Sequence, residues 1–71
     1  MNDDARLNRH LNRLQVDMMW RDHYRALERL ATKPGEQAIY RTSAESRERM
    51  IATHEAKVAE LESVTRGQQA A

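Results

Sequence analysis

Apolar residues in the first half of the chain follow a helical period but change sides of the helix around Met18 and Met19. One stripe has 4-3-4 spacing and consists of Leu7, Leu11, Leu14 and Met18. A second stripe consists of Val16, Trp20, His23, Leu27 and Leu30. At about 100° per residue, the centres of the two stripes lie roughly half a turn apart. One two-helix hairpin can cover only one of them, so the second face needs another partner.

The first predicted element is a helix over about residues 3–32. Asn2 is a favourable N-cap residue, and Asp3 and Asp4 follow it at the positive end of the helix dipole. A Lys-Pro-Gly step at residues 33–35 is the only strong helix breaker in the chain. The sequence therefore predicts a short turn there.

The second predicted element is a helix over about residues 36–66. Gly67 has the position of a C-cap residue, and residues 67–71 are expected to form a frayed tail. A later start is the alternative, because the spacing around Ser43 is that of a capping box. The apolar stripe of this segment runs through Ser43 without a slip, which favours the earlier start.

A turn this short makes the two helices antiparallel, as in an αα-hairpin. Residue i then lies roughly opposite residue 68 − i. The expected pairs are Leu7 with Leu61, Leu11 with Val58, Leu14 with His54, Met18 with Met50, and Leu30 with Ala38 and Ile39. The predicted fold class is an all-α, antiparallel two-helix hairpin in which residues 1–71 form a single domain.

Chain length adds a second expectation, which is dimerisation into a four-helix bundle. A single core is barely sufficient at 71 residues, and self-association is a usual way to stabilise domains of this size. The predicted architecture is similar in shape to that of small bacterial and phage regulators that pair two helical hairpins. This likeness is one of shape alone, since no sequence motif accompanies it.

Polar residues on the predicted faces have ordinary structural interpretations. Asp17 is expected on a solvated face, in an i,i+4 pair with Arg21. Arg47 interrupts the apolar stripe of the second helix, where it can extend to solvent or pair with an acid on the first helix or a second subunit. His54 is expected to be a hydrogen-bonded core or seam histidine, with a pH-sensitive interface as the alternative.

Residues that could carry chemistry are few. There is no cysteine, and His10, His23 and His54 lack metal-ligand spacing and are separated in the predicted hairpin. No metal, cofactor or catalytic activity is therefore expected. No apolar run is long enough to cross a membrane, and the N-terminus is polar rather than signal-like, so we expect a cytoplasmic protein without a membrane partner.

Arginine offers one further candidate site. The net charge is only +1 and ten of the twelve basic residues are arginine, the side chain that best binds carboxylates and phosphates. Arg6, Arg9 and Arg13 occupy a stretch without acids, which makes them candidates for contact with an anion or a nucleic acid. Trp20 or Tyr24 could stack on a base, although Asp17 and Asp22 flank these aromatics.

The sequence favours a non-enzymatic protein–protein interaction module, a homodimeric adaptor, inhibitor or regulator that docks a partner protein. Trp, Tyr and Arg are enriched among residues that dominate binding energy. The predicted dimer or partner interface consists of Val16, Met19, Trp20, His23, Tyr24, Leu27 and Leu30. The alternatives are a nucleic-acid-binding regulator that uses the arginines, and a structural subunit of a larger assembly.

Overall fold

The computed structural model shows two antiparallel α-helices that pack against each other. It describes residues 3–70, with side chains described as far as residue 67. Helix α1 spans Asp3–Leu30 and helix α2 spans Pro34–Ala70. The hairpin measures 57 × 16 × 14 Å, so its length is close to that expected of α2 alone at about 1.5 Å per residue. The all-helical hairpin predicted from the sequence is confirmed.

The helix ends at the turn lie near their predicted positions. Helix α1 ends at Leu30, and α2 begins at Pro34 rather than at Ser43. Proline suits this first helical position, because its ring sets φ near −65° and its missing N–H would have no helical partner there. The predicted cap Asn2 lies outside the described residues.

The C-terminal part of α2 differs from the prediction, which ended the helix at residue 66. The helix instead continues through Gly67 to Ala70. In the described part of the chain no glycine has a positive φ, so Gly67 lacks the left-handed conformation of a glycine C-cap. The residues after it are good helix formers without a proline, so nothing in the local sequence forces the helix to stop.

A side chain from α2 closes the turn. Gln37 Nε2 donates a hydrogen bond to the backbone oxygen of Ala31 at 2.8 Å. The backbone N–H of Ala31 donates to the oxygen of Leu27 at 2.9 Å, and that of Gln37 donates to Lys33 at 3.0 Å. The glutamine therefore satisfies one of the carbonyls that the end of a helix leaves without a partner.

The side chains between the helices recur at alternating steps of three and four residues, the 3.5-residue period of helices that coil around each other. In α1 this seam consists of Leu7, His10, Leu14, Asp17, Arg21, Tyr24 and Glu28. In α2 it consists of Tyr40, Ala44, Arg47, Ile51, His54, Val58, Leu61 and Thr65. Polar and apolar residues alternate along both helices, so hydrogen bonds and ion pairs hold this seam together with apolar packing.

The predicted inward stripe of α1 is wrong at two of its four residues. Leu7 and Leu14 belong to the seam, but Leu11 and Met18 are 38% and 39% exposed. In each case the preceding residue, His10 or Asp17, takes the seam position.

Polar groups of α2 explain this rotation of α1. Arg47 and His54 occupy the α2 seam, and there they would be left without partners opposite leucine and methionine. A buried polar group without a hydrogen bond is costly. The observed rotation instead places Asp17 against Arg47 and His10 against His54. Leu14 lies in the seam between His10 and Asp17, and its pairing with His54 stays a prediction.

The expected contact between Leu30 and Ile39 near the turn is also wrong, because these side chains are 77% and 65% exposed. Ile39 precedes the seam residue Tyr40, so it lies about 100° away around the helix. Gln37 and Tyr40 face α1 at this end instead. Apolar packing is therefore weakest beside the turn.

The hairpin has a small apolar core for its length. Among the described residues, the buried apolar side chains are Ala44, Ile51 and Leu61, each at most 5% exposed. The radius of gyration is 16.3 Å, against about 11 Å for a compact domain of this length. The accessible surface is 5303 Å², against roughly 4,600 Å² for a compact monomer of this mass. Much apolar surface thus stays outside the fold.

Candidate interaction surface

Charged side chains cross the seam on one long side of the hairpin. Arg25 Nη2 donates to Glu48 Oε1 at 2.8 Å, and Arg41 Nε donates to Glu28 Oε2 at 2.8 Å. Arg25 also donates to Glu28 at 3.0 Å. The hydrogen bonds from Arg41 and Arg25 lower the pKa of Glu28 below its ordinary value. We call this side the ion-pair flank.

Leu11 and Met18 belong to the ion-pair flank. They precede Arg25 by fourteen and seven residues, and residues seven apart share one helix face. This flank therefore mixes a salt-bridge network with two partly exposed apolar side chains.

The middle of the other long side is apolar, and we call this part the Trp20 flank. Trp20 lies about 140° around α1 from Arg25, and Met50 lies about 160° around α2 from Glu48, at 100° per residue. The same arithmetic places Ile39 opposite Arg41. The Trp20 flank consists of Val16, Trp20, His23 and Leu27 from α1 with Ile39 and Met50 from α2. Sequence reasoning found the α1 members but missed those of α2, which it assigned to the core.

Aromatic rings cluster at the centre of this flank. The centroid of the Trp20 ring lies 5.7 Å from that of His23 and 5.8 Å from that of Tyr24. The guanidinium carbon of Arg47 lies 5.8 Å from the Trp20 ring centroid, a cation–π contact made across the seam. Trp20 remains 38% exposed, and it lines a shallow apolar depression together with Met19 and His23.

The predicted interface residues do not all share one face. Val16, Trp20 and His23 are exposed on the Trp20 flank, while Tyr24 and Leu27 are half-buried beside it. Met19 and Leu30 are the most exposed of its apolar members, at 61% and 77%. Both lie toward the outer face of α1, Met19 in the same depression as Trp20 and His23 and Leu30 seven residues after His23. The predicted interface therefore extends from the Trp20 flank onto the outer face without a break.

A buried carboxylate lies beneath the Trp20 flank. Asp17, expected on a solvated face with Arg21, is 2% exposed. Its Oδ1 accepts a hydrogen bond from Arg47 Nη1 at 2.8 Å, which confirms the predicted pairing of that arginine with an acid on the first helix. Asp17 Oδ2 is buried and accepts no hydrogen bond from the described residues, but it lies 3.7 Å from His54 Nε2.

Two histidines that were expected to lie apart meet in the seam. The Nδ1 atoms of His10 and His54 are 2.9 Å apart, within hydrogen-bonding distance. Desolvation by burial, together with the charge of the His54 ring and nearby cations, lowers the pKa of His10 below its ordinary value. The remaining histidine, His23, lies beside Trp20 instead. The sequence signal for this pairing was the seven-residue spacing of polar residues, from His10 to Asp17 in α1 and from Arg47 to His54 in α2.

The arginine end of α1 continues the side on which the Trp20 flank lies, because Arg9 precedes Val16, and Arg13 precedes Trp20, by seven residues. Arg9, Asn12, Arg13 and Val16 line a shallow groove. Arg6 lies 3.8 Å from Asp3, whereas Arg9 and Arg13 make no ion pair with any residue from 3 to 67. An anion contact there stays a prediction.

The described residues provide neither a metal site nor a membrane span. No group of three or more His, Asp or Glu side chains in the described residues is arranged to hold a metal ion. Neither described helix contains a segment long and apolar enough to span a bilayer.

Comparisons with protein-family models, with curated proteins and with solved structures found no match to this chain. The fold defines the class of this protein as a two-helix hairpin.

Proposed function

We propose that this protein is a non-enzymatic protein–protein interaction module that works as a homodimer. Two hairpins join through their Trp20 flanks into a four-helix bundle, and the dimer docks a partner protein as an adaptor or inhibitor. One observation carries the proposal: among its described residues the hairpin buries three apolar side chains but leaves a tryptophan-centred apolar flank open. Contiguous exposed apolar surface of this kind is typical of an interaction site.

The dimensions of the hairpin favour a second copy as the occupant of the flank. The apolar residues of the flank span about 17 Å of α1, from Val16 to Leu27 at about 1.5 Å per residue. The whole side of the hairpin on which they lie, 57 Å long and 14–16 Å wide, has a footprint of roughly 800–900 Å². Stable protein interfaces bury about 800 Å² on each partner. Two flanks of equal length can cover each other around a two-fold axis, in which the same patch serves both subunits. The bundle then supplies the core that a single hairpin lacks.

The contrast between the two flanks indicates which one is covered. Arg25, Glu28, Arg41 and Glu48 would lose water on the ion-pair flank, and removing charges from water is expensive. The Trp20 flank contributes aromatic and aliphatic groups, which gain free energy on burial. Dimerisation through the Trp20 flank leaves the ion-pair network in solvent.

The outer face of α1 is the part of the predicted interface that remains available to a partner protein. Met19 is 61% exposed, and Leu30 extends the same face toward the turn. We propose that pairing of the two flanks leaves most of this face uncovered, although Met19 also lines the depression beside Trp20. We therefore assign self-association to the Trp20 flank and docking of a partner protein to the outer face.

Paired alanine variants test the dimer. Trp20 and Met18 have nearly equal exposed fractions, 38% and 39%, but lie on opposite flanks, so Met18→Ala is the matched control for Trp20→Ala. Sedimentation equilibrium should show a dimer for the wild type and for Met18→Ala. Loss of a central interface tryptophan should raise the dissociation constant about 30-fold or more, since such a residue contributes ~2 kcal/mol or more.

Circular dichroism on the same samples separates lost association from lost folding. A wild-type chain that stays monomeric at millimolar concentration would contradict the homodimer and leave the flank to another kind of protein. Equal weakening by both substitutions would mean that the Trp20 flank has no special part in association.

A further inference from the structure

A continuous series of polar contacts links the histidine pair to the Trp20 ring. His10 Nδ1 lies 2.9 Å from His54 Nδ1, and His54 Nε2 lies 3.7 Å from Asp17 Oδ2. Asp17 Oδ1 accepts from Arg47 Nη1 at 2.8 Å. The guanidinium of Arg47 then lies over the Trp20 ring. A titratable pair in the seam is thereby connected to the centre of the proposed interface.

The carboxylate determines the arrangement of protons on the neutral pair. An unprotonated His54 Nε2 would direct its lone pair at Asp17 Oδ2, which is unfavourable. The favoured tautomer of His54 therefore carries its proton on Nε2 and accepts a hydrogen bond at Nδ1. His10 supplies that bond from its own Nδ1–H.

The charges around the pair govern where an added proton is accommodated. Lys57 from α2 and Arg6 and Arg9 from α1 are the cations that act on His10, and together with desolvation and His54 they lower its pKa. The His54 ring instead has Asp17 beside its Nε2. A proton added to the pair is therefore better placed on His54, with His10 changing tautomer so that its Nδ1 accepts from His54.

A protonated His54 changes the contacts of Asp17. Its Nε2–H becomes a charged donor aimed at Oδ2, which has no hydrogen bond from the described residues in the neutral form. Charge-assisted hydrogen bonds are shorter and stronger than neutral ones. His54 and Arg47 are then two cations that share one carboxylate, and the hydrogen bond from Arg47 to Asp17 weakens.

We propose that the His10–His54 pair is a proton-sensitive control of self-association through the Trp20 flank. Protonation draws Asp17 toward His54 and releases Arg47 from its position over Trp20. The freed guanidinium is an incompletely paired cation at the edge of an apolar interface, and burying such a charge is unfavourable. Mild acid therefore weakens the dimer. This inference rests on the proposed function, since the Trp20 flank is the surface that it regulates.

Fluorescence emission from Trp20, the single tryptophan, reports directly on the proposed effect of protonation. The measurement uses a His23→Gln background, because His23 contacts Trp20 and its own protonation would change the emission. Between pH 7.5 and 5.5, the emission of His23→Gln should pass through a single transition. Addition of His54→Gln should remove this transition. A transition that persists in the double variant would overturn the proposal.

Sedimentation equilibrium on the same two proteins tests the coupling to association. For His23→Gln the dissociation constant should rise about three- to tenfold from pH 7.5 to 5.5, as expected when the separated chains bind a proton more tightly. With His54→Gln added, it should stay within about twofold. An emission transition without a change in association would refute the control and leave the dimer intact. Because His23 itself belongs to the Trp20 flank, the wild type is measured alongside. A wild type that does not associate at pH 7.5 would instead refute the dimer, and the emission would still report the link to Trp20.

Discussion

Asp17 shows how single residues determine the geometry of this hairpin. Among the described residues it is the largest side chain that the fold buries completely. Arg47, its partner, keeps part of its side chain in solvent. Buried ion pairs are weak sources of stability, because desolvation offsets much of their attraction. We interpret this pair as a feature that selects one rotation of α1 over others.

Substitutions of Asp17 and Arg47 separate the contribution of this ion pair to stability from its role in selecting the rotation of α1. Asp17→Leu should destabilise the hairpin by about 1–3 kcal/mol, because Arg47 loses its acceptor. Adding Arg47→Met should bring the free energy of unfolding to within ~1 kcal/mol of wild type, or above it, since apolar pairs often replace ionic ones without loss. Urea unfolding at one protein concentration and pH 7.5 measures both. A double variant as unstable as the sum of its single variants would contradict this view.

At the scale of the helices, the elements were predictable but their rotation was not. Strong helix-forming sequence on either side of one Pro-Gly step was enough to predict two helices and a short turn. Leu7 and Leu14 fit a seam in either of two rotations of α1. In one rotation Leu11 and Met18 complete the seam, and in the other His10 and Asp17 complete it. The choice depends on which α2 groups need partners, a tertiary property that the period of one helix does not contain.

The candidate surface was predictable only in part, because it also depends on the rotation of α1 against α2. Trp20 and its α1 neighbours fall on a separate stripe that the sequence shows directly. Ile39 and Met50 could be assigned to this surface only from the structure, because both lie beside the α2 seam rather than in it. The histidine pair was missed because an apolar core was expected where polar contacts occur.

The continuation of α2 through Gly67 makes a prediction at the element scale. A Cβ atom at Gly67 would meet nothing within 4 Å, and the backbone there is not left-handed. Gly67→Ala should raise helicity and increase stability by up to about 1 kcal/mol. Circular dichroism and urea unfolding measure the two effects.

Gly35→Ala is the matched control, since Gly35 is equally open but lies in the first turn of α2. It should show a smaller gain, because helix propensity acts mainly in helix interiors. A loss of stability in Gly67→Ala would mean that this glycine caps the helix in solution, as the sequence pattern first indicated.

At the scale of the whole molecule, the hairpin is long, thin and two-sided. Its ion-pair flank carries a salt-bridge network, whereas its Trp20 flank exposes aromatic and aliphatic groups over the middle part of the hairpin. The proposed four-helix bundle follows from this asymmetry, because only the Trp20 flank gains from being covered. The polar seam beneath that flank then gives the assembly its proposed response to acid.

An isotope-filtered NOE spectrum of a mixture of labelled and unlabelled wild-type chains tests the central claim most directly. At pH 7.5 the Trp20 ring should show intermolecular NOEs to side chains of the Trp20 flank of the other copy, with Met50 the expected contact on α2. The methyl group of Met18, on the ion-pair flank, should show none. The absence of intermolecular NOEs to Trp20, or their presence at Met18 instead, would contradict a dimer built on the Trp20 flank.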